Sequence, residues 1–101
     1  EKIIENQAAD VFVIKPMVSG GFTECKKIID LAKAENIRSI ITTSLETTIG
    51  RTACLHLAAA NEISEPCGLA TGALLNEVTK APVIVNGLIR IPDIPGMGLE
   101  L

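Results

Sequence analysis

The stretch VFVIKP at residues 11–16 decides the fold of this chain. Four apolar residues run directly into Lys15 and Pro16. Continuous apolar runs of this length are typical of a strand that is buried on both faces of a parallel sheet. Because Pro16 has no backbone N–H for the sheet, we expect the strand to end there, with Lys15 at its carboxyl-terminal end. Active sites of parallel α/β folds gather at that edge.

The residues that follow alternate between helical and strand patterns. The predicted elements are the end of a helix (1–9), this strand (11–16), a loop (17–21), a helix (22–35), a strand (37–43), a helix (49–61), a short strand (66–70), a helical turn (71–76) and two extended segments joined by Asn86-Gly87. Thr23 is the expected N-cap of the 22–35 helix, and Asn36 the expected left-handed residue after it. The 49–61 helix is apolar nearly all round, so we expect it to be buried. This order predicts an α/β fold with a parallel sheet.

Length and composition limit the classes of function. The chain has 101 residues, 48% of them hydrophobic, and a net charge of -3. It is therefore globular, and its acidic balance argues against a nucleic-acid partner. We see no membrane-spanning stretch, and a full α/β barrel needs roughly 250 residues. Because the first residue is Glu, we expect a piece of a longer protein. The three cysteines form no Cys-x-x-Cys pair, which favours reduced thiols in the cytoplasm over a zinc site.

Polar residues collect at the ends of the two main strands. Lys15 is a candidate catalytic lysine whose burial would need a partner or a task, and the alternative is a surface lysine that extends to water. TTSLE at residues 42–46 ends the second strand with three hydroxyls and a carboxylate. We read this polar strand end as a candidate part of a site, and the alternative is helix capping by Ser44 or Thr47. Gly20-Gly21 is read as a turn, and His56 as a packed residue of a helix rather than a catalytic one.

Together these motifs resemble the C-terminal part of an enolase-superfamily enzyme of the muconate-lactonising type, most of all the o-succinylbenzoate synthases. The motifs are VIKP at residues 13–16, Gly20-Gly21, ITTSLETTIG at residues 41–50 and the ending from Val85-Asn86-Gly87 through the Pro- and Gly-rich tail. The resemblance implies the last part of a (β/α)7β, TIM-like barrel. Residues 1–80 would hold its sixth to eighth strands, and residues 81–101 would return to a capping domain.

The resemblance also implies a chemistry. The full-length protein would use Mg²⁺ to bind a small-molecule carboxylate substrate, and the metal and lysines would stabilise an enediolate. Lys15 matches the sixth-strand lysine and would be catalytic. Ser44 and Glu46 match the end of the seventh strand and Gly68 that of the eighth, where they would border the substrate. The reaction would be the dehydration of a succinyl-hydroxycyclohexadiene carboxylate to 2-succinylbenzoate, in menaquinone synthesis.

Two departures from the family pattern shape these expectations. The metal-binding carboxylates belong to strands that this chain lacks, so we expect no metal ligand here and no activity from the chain alone. The stretch CGLATG at residues 67–72 has no acid, whereas dipeptide epimerases carry Asp-x-Asp there. A racemase, epimerase or cycloisomerase is the alternative enzyme, and a non-catalytic α/β interaction module is the alternative of another class. The expected protein partner is the remaining barrel or another copy of the chain.

Overall fold

The computed structural model describes residues 1–76 and 80–99. Its elements are α1 (Lys2–Glu5), β1 (Val11–Ile14), α2 (Pro16–Ser19), α3 (Phe22–Ala34), β2 (Arg38–Ile41), α4 (Thr48–Ala60), a 3₁₀ helix (Thr71–Leu74), β3 (Ile84–Val85) and β4 (Leu88–Ile89). The α/β fold class predicted from the sequence is confirmed. The N-terminal helix is shorter than expected, and a four-residue helix replaces the loop that we expected after Pro16.

β1 and β2 form a parallel pair that carries the rest of the fold. Their register joins Val11 to Arg38 and Ile14 to Ile41. Thr42 extends the ladder, because its N–H donates to the carbonyl of Ile14 over 2.9 Å. The two strands therefore end at the same edge, as the sequence predicted for Lys15 and the TTSLE stretch.

Helices α3 and α4 cover one face of this pair. Ile14 and Ile41 of the strands are buried against Cys25 and Ile29 of α3 and Leu55 of α4. The sequence of α3 has an apolar stripe with i, i+3, i+4, i+7 spacing, which predicts the buried face of a helix, and this stripe is the face that packs: Cys25, Ile28, Ile29 and Ala32. The predicted N-cap of α3 is wrong: Gly21 occupies that position, with no side-chain capping bond.

The opposite face of the pair is open, which contradicts the expectation of a strand buried on both faces. Side chains alternate along a strand, so Val13 points away from the face that buries Ile14. Val13 is 61% exposed, and Ile40, its partner on β2, is half-buried. Within the described residues, the apolar run is thus covered on one face only. In addition, β1 pairs with another strand along one edge only within them.

The C-terminal third is less regular than expected. The predicted strand at residues 66–70 is reduced to one parallel bridge, between Thr42 and Gly68. The predicted hairpin is confirmed: β3 and β4 pair antiparallel, with Asn86 and Gly87 at positive φ of 51° and 76°. Ile89 packs against the core. Within the described residues, no helix is both long and apolar enough to cross a membrane.

Candidate active site at the strand ends

Lys15 stands where β1 turns into α2. Pro16 opens that helix at its first position, where a missing N–H costs nothing. The carbonyl of Lys15 accepts the N–H groups of Val18 at 2.9 Å and Ser19 at 2.8 Å. Gly20 ends the turn at a φ of 94°. The backbone of Lys15 is therefore held at the strand end by the turn that follows it.

The side chain of Lys15 reaches across to the neighbouring strand. Its Nζ donates to the carbonyl of Thr43 over 3.4 Å, which is a long contact for a charged donor. Lys15 is exposed, and the alternation of side chains along β1 places it on the open face with Val13. Of the two readings that the sequence left open, the described residues leave the lysine at the surface. Among residues 1–76 and 80–99, it takes part in none of the ion pairs. Its ammonium is thus left free to meet an anionic ligand.

Thr43 joins the ends of three chain segments. Its N–H donates to the carbonyl of Gly68 over 3.1 Å, and its Oγ1 donates to the same carbonyl over 3.2 Å. The hydroxyls of Thr43 and Thr71 lie 2.9 Å apart. The backbone carbonyl of Thr43 accepts the hydrogen bond from Nζ of Lys15. These contacts bring Lys15, Thr43 and Gly68 to one edge of the fold. We call these three residues, with Ser44 that follows Thr43 in the chain, the strand-end site.

Gly68 allows the close approach at this edge. A Cβ built on Gly68 would lie 2.8 Å from Cγ2 of Thr42, closer than real side chains pack. The Gly68 N–H donates to the carbonyl of Ile41 over 2.9 Å. The glycine therefore has a packing reason to be there, whatever it does toward a ligand.

Glu46 lies on the other side of the loop, toward α4. Its carboxylate is buried, with only 5% of the residue exposed. Oε1 accepts the N–H of Ser44 at 2.9 Å, and Oε2 accepts the thiol of Cys54 at 3.4 Å. Burial, then the nearby Glu46 charge and the hydrogen bond to it, raise the pKa of Cys54 to about 12, so the thiol keeps its proton. The Glu46 carboxylate therefore bridges α4 and the backbone of Ser44, and it is buried rather than exposed beside Lys15.

The described residues do not fit a metal site. Within them, no group of three or more His, Cys, Asp and Glu side chains lies close enough to hold an ion. Glu46 is already engaged by donors of its own chain. The described residues thus do not form a complete set of magnesium ligands.

Sequence reasoning missed three residues that build this edge. Thr43 was noted as one of three hydroxyls, but its carbonyl contact with Lys15 depends on the register of two strands and has no signal in the chain. Thr71 lies in a predicted helical turn and Cys54 in a predicted apolar helix, and neither pattern indicates a site residue. His56 is packed as expected, with Nε2 3.2 Å from the carbonyl of Met97 in the tail.

Comparison with known proteins places the chain among enzymes that share this architecture. A family model described as "Enolase C-terminal domain-like" matches residues 1–101. The chain is 31% identical over 103 residues to muconate cycloisomerase 1 of Rhodococcus opacus, covering 99% of this chain and 28% of that protein. It is 34% identical over 97 residues to o-succinylbenzoate synthase of Mycobacterium marinum, covering 90% of this chain and 29% of that protein.

A solved structure agrees with these relatives. The substrate-liganded L-Ala-D/L-Glu epimerase of Bacillus subtilis superposes with a TM-score of 0.85 at 27% identity, covering 97% of this chain. The chain spans 28% of that structure's length, as it spans little more than a quarter of the curated relatives. The expected partial barrel of the enolase superfamily is therefore confirmed.

Proposed function

The chain belongs to the enolase C-terminal domain-like family, and on this premise we propose that it is the last part of the barrel of an o-succinylbenzoate synthase-like lyase. The full-length protein would dehydrate a succinyl-hydroxycyclohexadiene carboxylate to 2-succinylbenzoate, in menaquinone synthesis. The observation that carries the proposal is the Lys15 ammonium, exposed at the carboxyl end of β1, where its contact within residues 1–76 and 80–99 is a long one to the Thr43 carbonyl.

Lys15 would act by its charge. Removing a proton next to a carboxylate builds negative charge on the substrate, and a cation that is already in place stabilises that charge. The Thr43 carbonyl, 3.4 Å away, orients Nζ without neutralising it. Ser44 and Gly68 would border the substrate beside it. The carboxylate of Glu46, which we expected to do the same, is buried and accepts the Ser44 N–H and the Cys54 thiol instead.

The ligands of magnesium would come from parts of the full-length protein outside this chain. As the family resemblance implies, the full-length protein would hold it with carboxylates on strands that this chain does not contain, and the described residues form no ligand group of their own. We therefore assign no ligand and no metal-dependent step to this chain, and we expect the 101-residue chain alone to be inactive.

The other reactions of the family are the alternatives. The relatives include a cycloisomerase and an epimerase, which favour those activities as much as the synthase by similarity alone. Residues 67–72 carry no acid that could hold a substrate amine, which makes a dipeptide epimerase less favoured than the synthase. A non-catalytic module would leave Lys15 without a task.

We also propose the domain division and location that the resemblance implies. Residues 1–80 would belong to the barrel and residues 81–101 would return to a capping domain. The contact between His56 and the Met97 carbonyl ties that tail to α4. The protein would work in the cytoplasm.

A substrate panel tests the proposal. The full-length protein is purified with Mg²⁺ and assayed for dehydration to 2-succinylbenzoate, for epimerisation of an Ala-Glu dipeptide and for cycloisomerisation of muconate. We expect the largest kcat/KM for dehydration. A larger kcat/KM for either other substrate would reject the synthase assignment, and inactivity toward all three would favour the interaction module.

A further inference from the structure

We propose that Glu46 is a positioning residue, an internal anchor that holds the strand-end loop in place for Lys15, and that it does not contact the substrate. The catalytic part of the inference, which is the effect of Glu46 on turnover through Lys15, rests on the proposed function. Its structural part depends only on the geometry around Glu46, Ser44 and Cys54. It replaces the substrate-binding role that the family resemblance implied for Glu46.

Both oxygens of the Glu46 carboxylate are engaged by donors of its own chain. Oε1 accepts the Ser44 N–H and Oε2 the Cys54 thiol, at 2.9 Å and 3.4 Å. A buried carboxylate is costly unless such donors satisfy it, and here they link the loop to the middle of α4. With 5% of the residue exposed, little of Glu46 is left for a ligand to touch.

Gly50 makes room for this anchor. It lies inside α4, and a Cβ there would sit 3.1 Å from both Cβ and Oε2 of Glu46. Alanine is normally better than glycine inside a helix, so a cost of Gly50→Ala must come from this contact. The carboxylate cannot easily move aside, since both of its oxygens are already bonded.

The anchor connects to Lys15 through the backbone. The N–H that Glu46 holds belongs to Ser44, and the peptide bond of that N–H carries the Thr43 carbonyl. That carbonyl is the acceptor for Lys15 Nζ at 3.4 Å. A planar peptide unit moves as one body, so releasing Ser44 N–H frees the atom that orients the lysine. Misplacing a catalytic group by about 1 Å can cost on the order of 10²-fold in rate.

The test compares Glu46→Ala with Glu46→Gln in the full-length protein, with kcat and KM expressed per folded molecule. Glutamine keeps an oxygen that accepts the Ser44 N–H, and alanine does not. We expect alanine to lower kcat on the order of 10²-fold with a smaller change in KM. We expect glutamine to stay within about tenfold of the parent, since it loses only the extra strength of a charged acceptor. Glu24→Ala, which removes an exposed carboxylate, is the matched control.

Two results would overturn the inference. If glutamine lost as much kcat as alanine, the charge of Glu46 would act on the substrate directly. If alanine left kcat per folded molecule unchanged, the anchor would be structural only. Gly50→Ala adds a second test. It should lower kcat in the parent and lower it less in Glu46→Ala, where the contact with Oε2 is gone and only the contact with Cβ remains. Equal losses in the two backgrounds would contradict the shared contact.

Hydrogen exchange at the Ser44 amide separates this inference from the proposed function. Exchange should be slow in the parent and in Glu46→Gln and faster in Glu46→Ala. This result stands whichever reaction the protein catalyses. If none of the three substrates reacts but the exchange follows this order, the function fails and the anchor holds. Equal exchange in parent and Glu46→Ala refutes the anchor itself.

Discussion

The ammonium of Lys15 extends from the end of β1 toward open space and contacts the Thr43 carbonyl at 3.4 Å. Its removal should therefore leave the packing intact and affect the chemistry. In the full-length protein, we expect Lys15→Ala to lower kcat on the order of 10²–10³-fold, by analogy with the loss of one preorganised hydrogen-bond donor. KM should change less, because the charge matters most when the enediolate forms.

Lys15→Arg distinguishes two roles for this lysine. Arginine keeps the charge but cannot give up its proton. Recovery of activity by arginine would indicate a purely electrostatic role, as expected for a synthase, and failure to recover would indicate proton transfer. A Lys15→Ala protein with near-normal kcat would instead leave Lys15 a surface lysine and remove the site assignment.

Cys54 gives the protein a predicted sensitivity to alkali. Its pKa rises from 9.0 to about 12 on folding, chiefly by burial. Below pH 9 both states are protonated, and above it the unfolded state releases the proton first. The free energy of unfolding should therefore fall as the pH rises from about 9 to about 12, by about 1.4 kcal/mol per pH unit for this group. Burial also raises the pKa of Cys25, which acts in the same direction.

Cys54→Ser tests this by removing the titration while keeping a donor for Glu46. Urea unfolding at neutral and alkaline pH should show a smaller alkaline loss in the serine variant than in the parent. Cys67→Ser, at a half-buried cysteine, controls for the loss of a thiol. An alkaline loss in Cys54→Ser equal to that of the parent would contradict the assignment.

At the scale of elements, α3 and α4 are tied together at the end of α4. Lys33 on α3 donates through Nζ to the carbonyl of Asn61 over 2.8 Å. Asn61 is the C-cap of α4, where the helix dipole favours a cation. We expect Lys33→Met, which keeps the aliphatic stem, to lower the free energy of unfolding by about 1 kcal/mol in urea titrations.

Lys26→Met is the matched control for this tether. Lys26 pairs with Asp30 on its own helix, exposed to solvent. Such a pair contributes about 0.5 kcal/mol or less, so its loss should be smaller than that at Lys33. Equal losses from the two variants would show that the contact between the helices contributes no more to the free energy of unfolding than an exposed ion pair.

Elements with a strong period could be predicted almost to the residue. The helix expected from Phe22 or Thr23 to Glu35 runs over Phe22–Ala34, because its apolar stripe is the face that packs. The Asn86-Gly87 hairpin followed from turn chemistry alone. The short helix after Lys15 was not foreseen, since a Pro at the first helical position can equally begin a loop. The 66–70 strand was overestimated, because pairing depends on a neighbour and not on propensity.

The candidate site could be predicted only as far as its strand ends. Lys15, Ser44 and Gly68 come to one edge because parallel strands end together. The inward turn of Glu46 could not be read from the chain, since it depends on the tertiary contact with Cys54 and on space at Gly50. Whether Lys15 is buried or exposed could not be decided from the sequence, because an apolar strand does not indicate what will cover it.

At the scale of the whole molecule, the described residues leave much apolar surface exposed. The radius of gyration is 14.2 Å, above the roughly 13 Å of a compact domain of about 100 residues. Val13 on the open face is 61% exposed, and β1 pairs on one edge alone within residues 1–76 and 80–99. Parallel sheets normally have both faces covered. In the full-length protein, we propose that the rest of the barrel covers this face.

The isolated 101-residue chain should therefore associate with itself. An unpaired strand edge beside an exposed apolar face is a template for pairing with another chain. We expect oligomers or aggregates in sedimentation velocity, increasing with concentration. Val13→Lys should reduce this association, because it places a charge on the open face. Val83→Lys is the control, since Val83 is 73% exposed but lies just before β3, which is not part of the β1–β2 pair. A folded monomer at all concentrations, or equal effects of the two substitutions, would contradict the prediction and leave the open face without a partner.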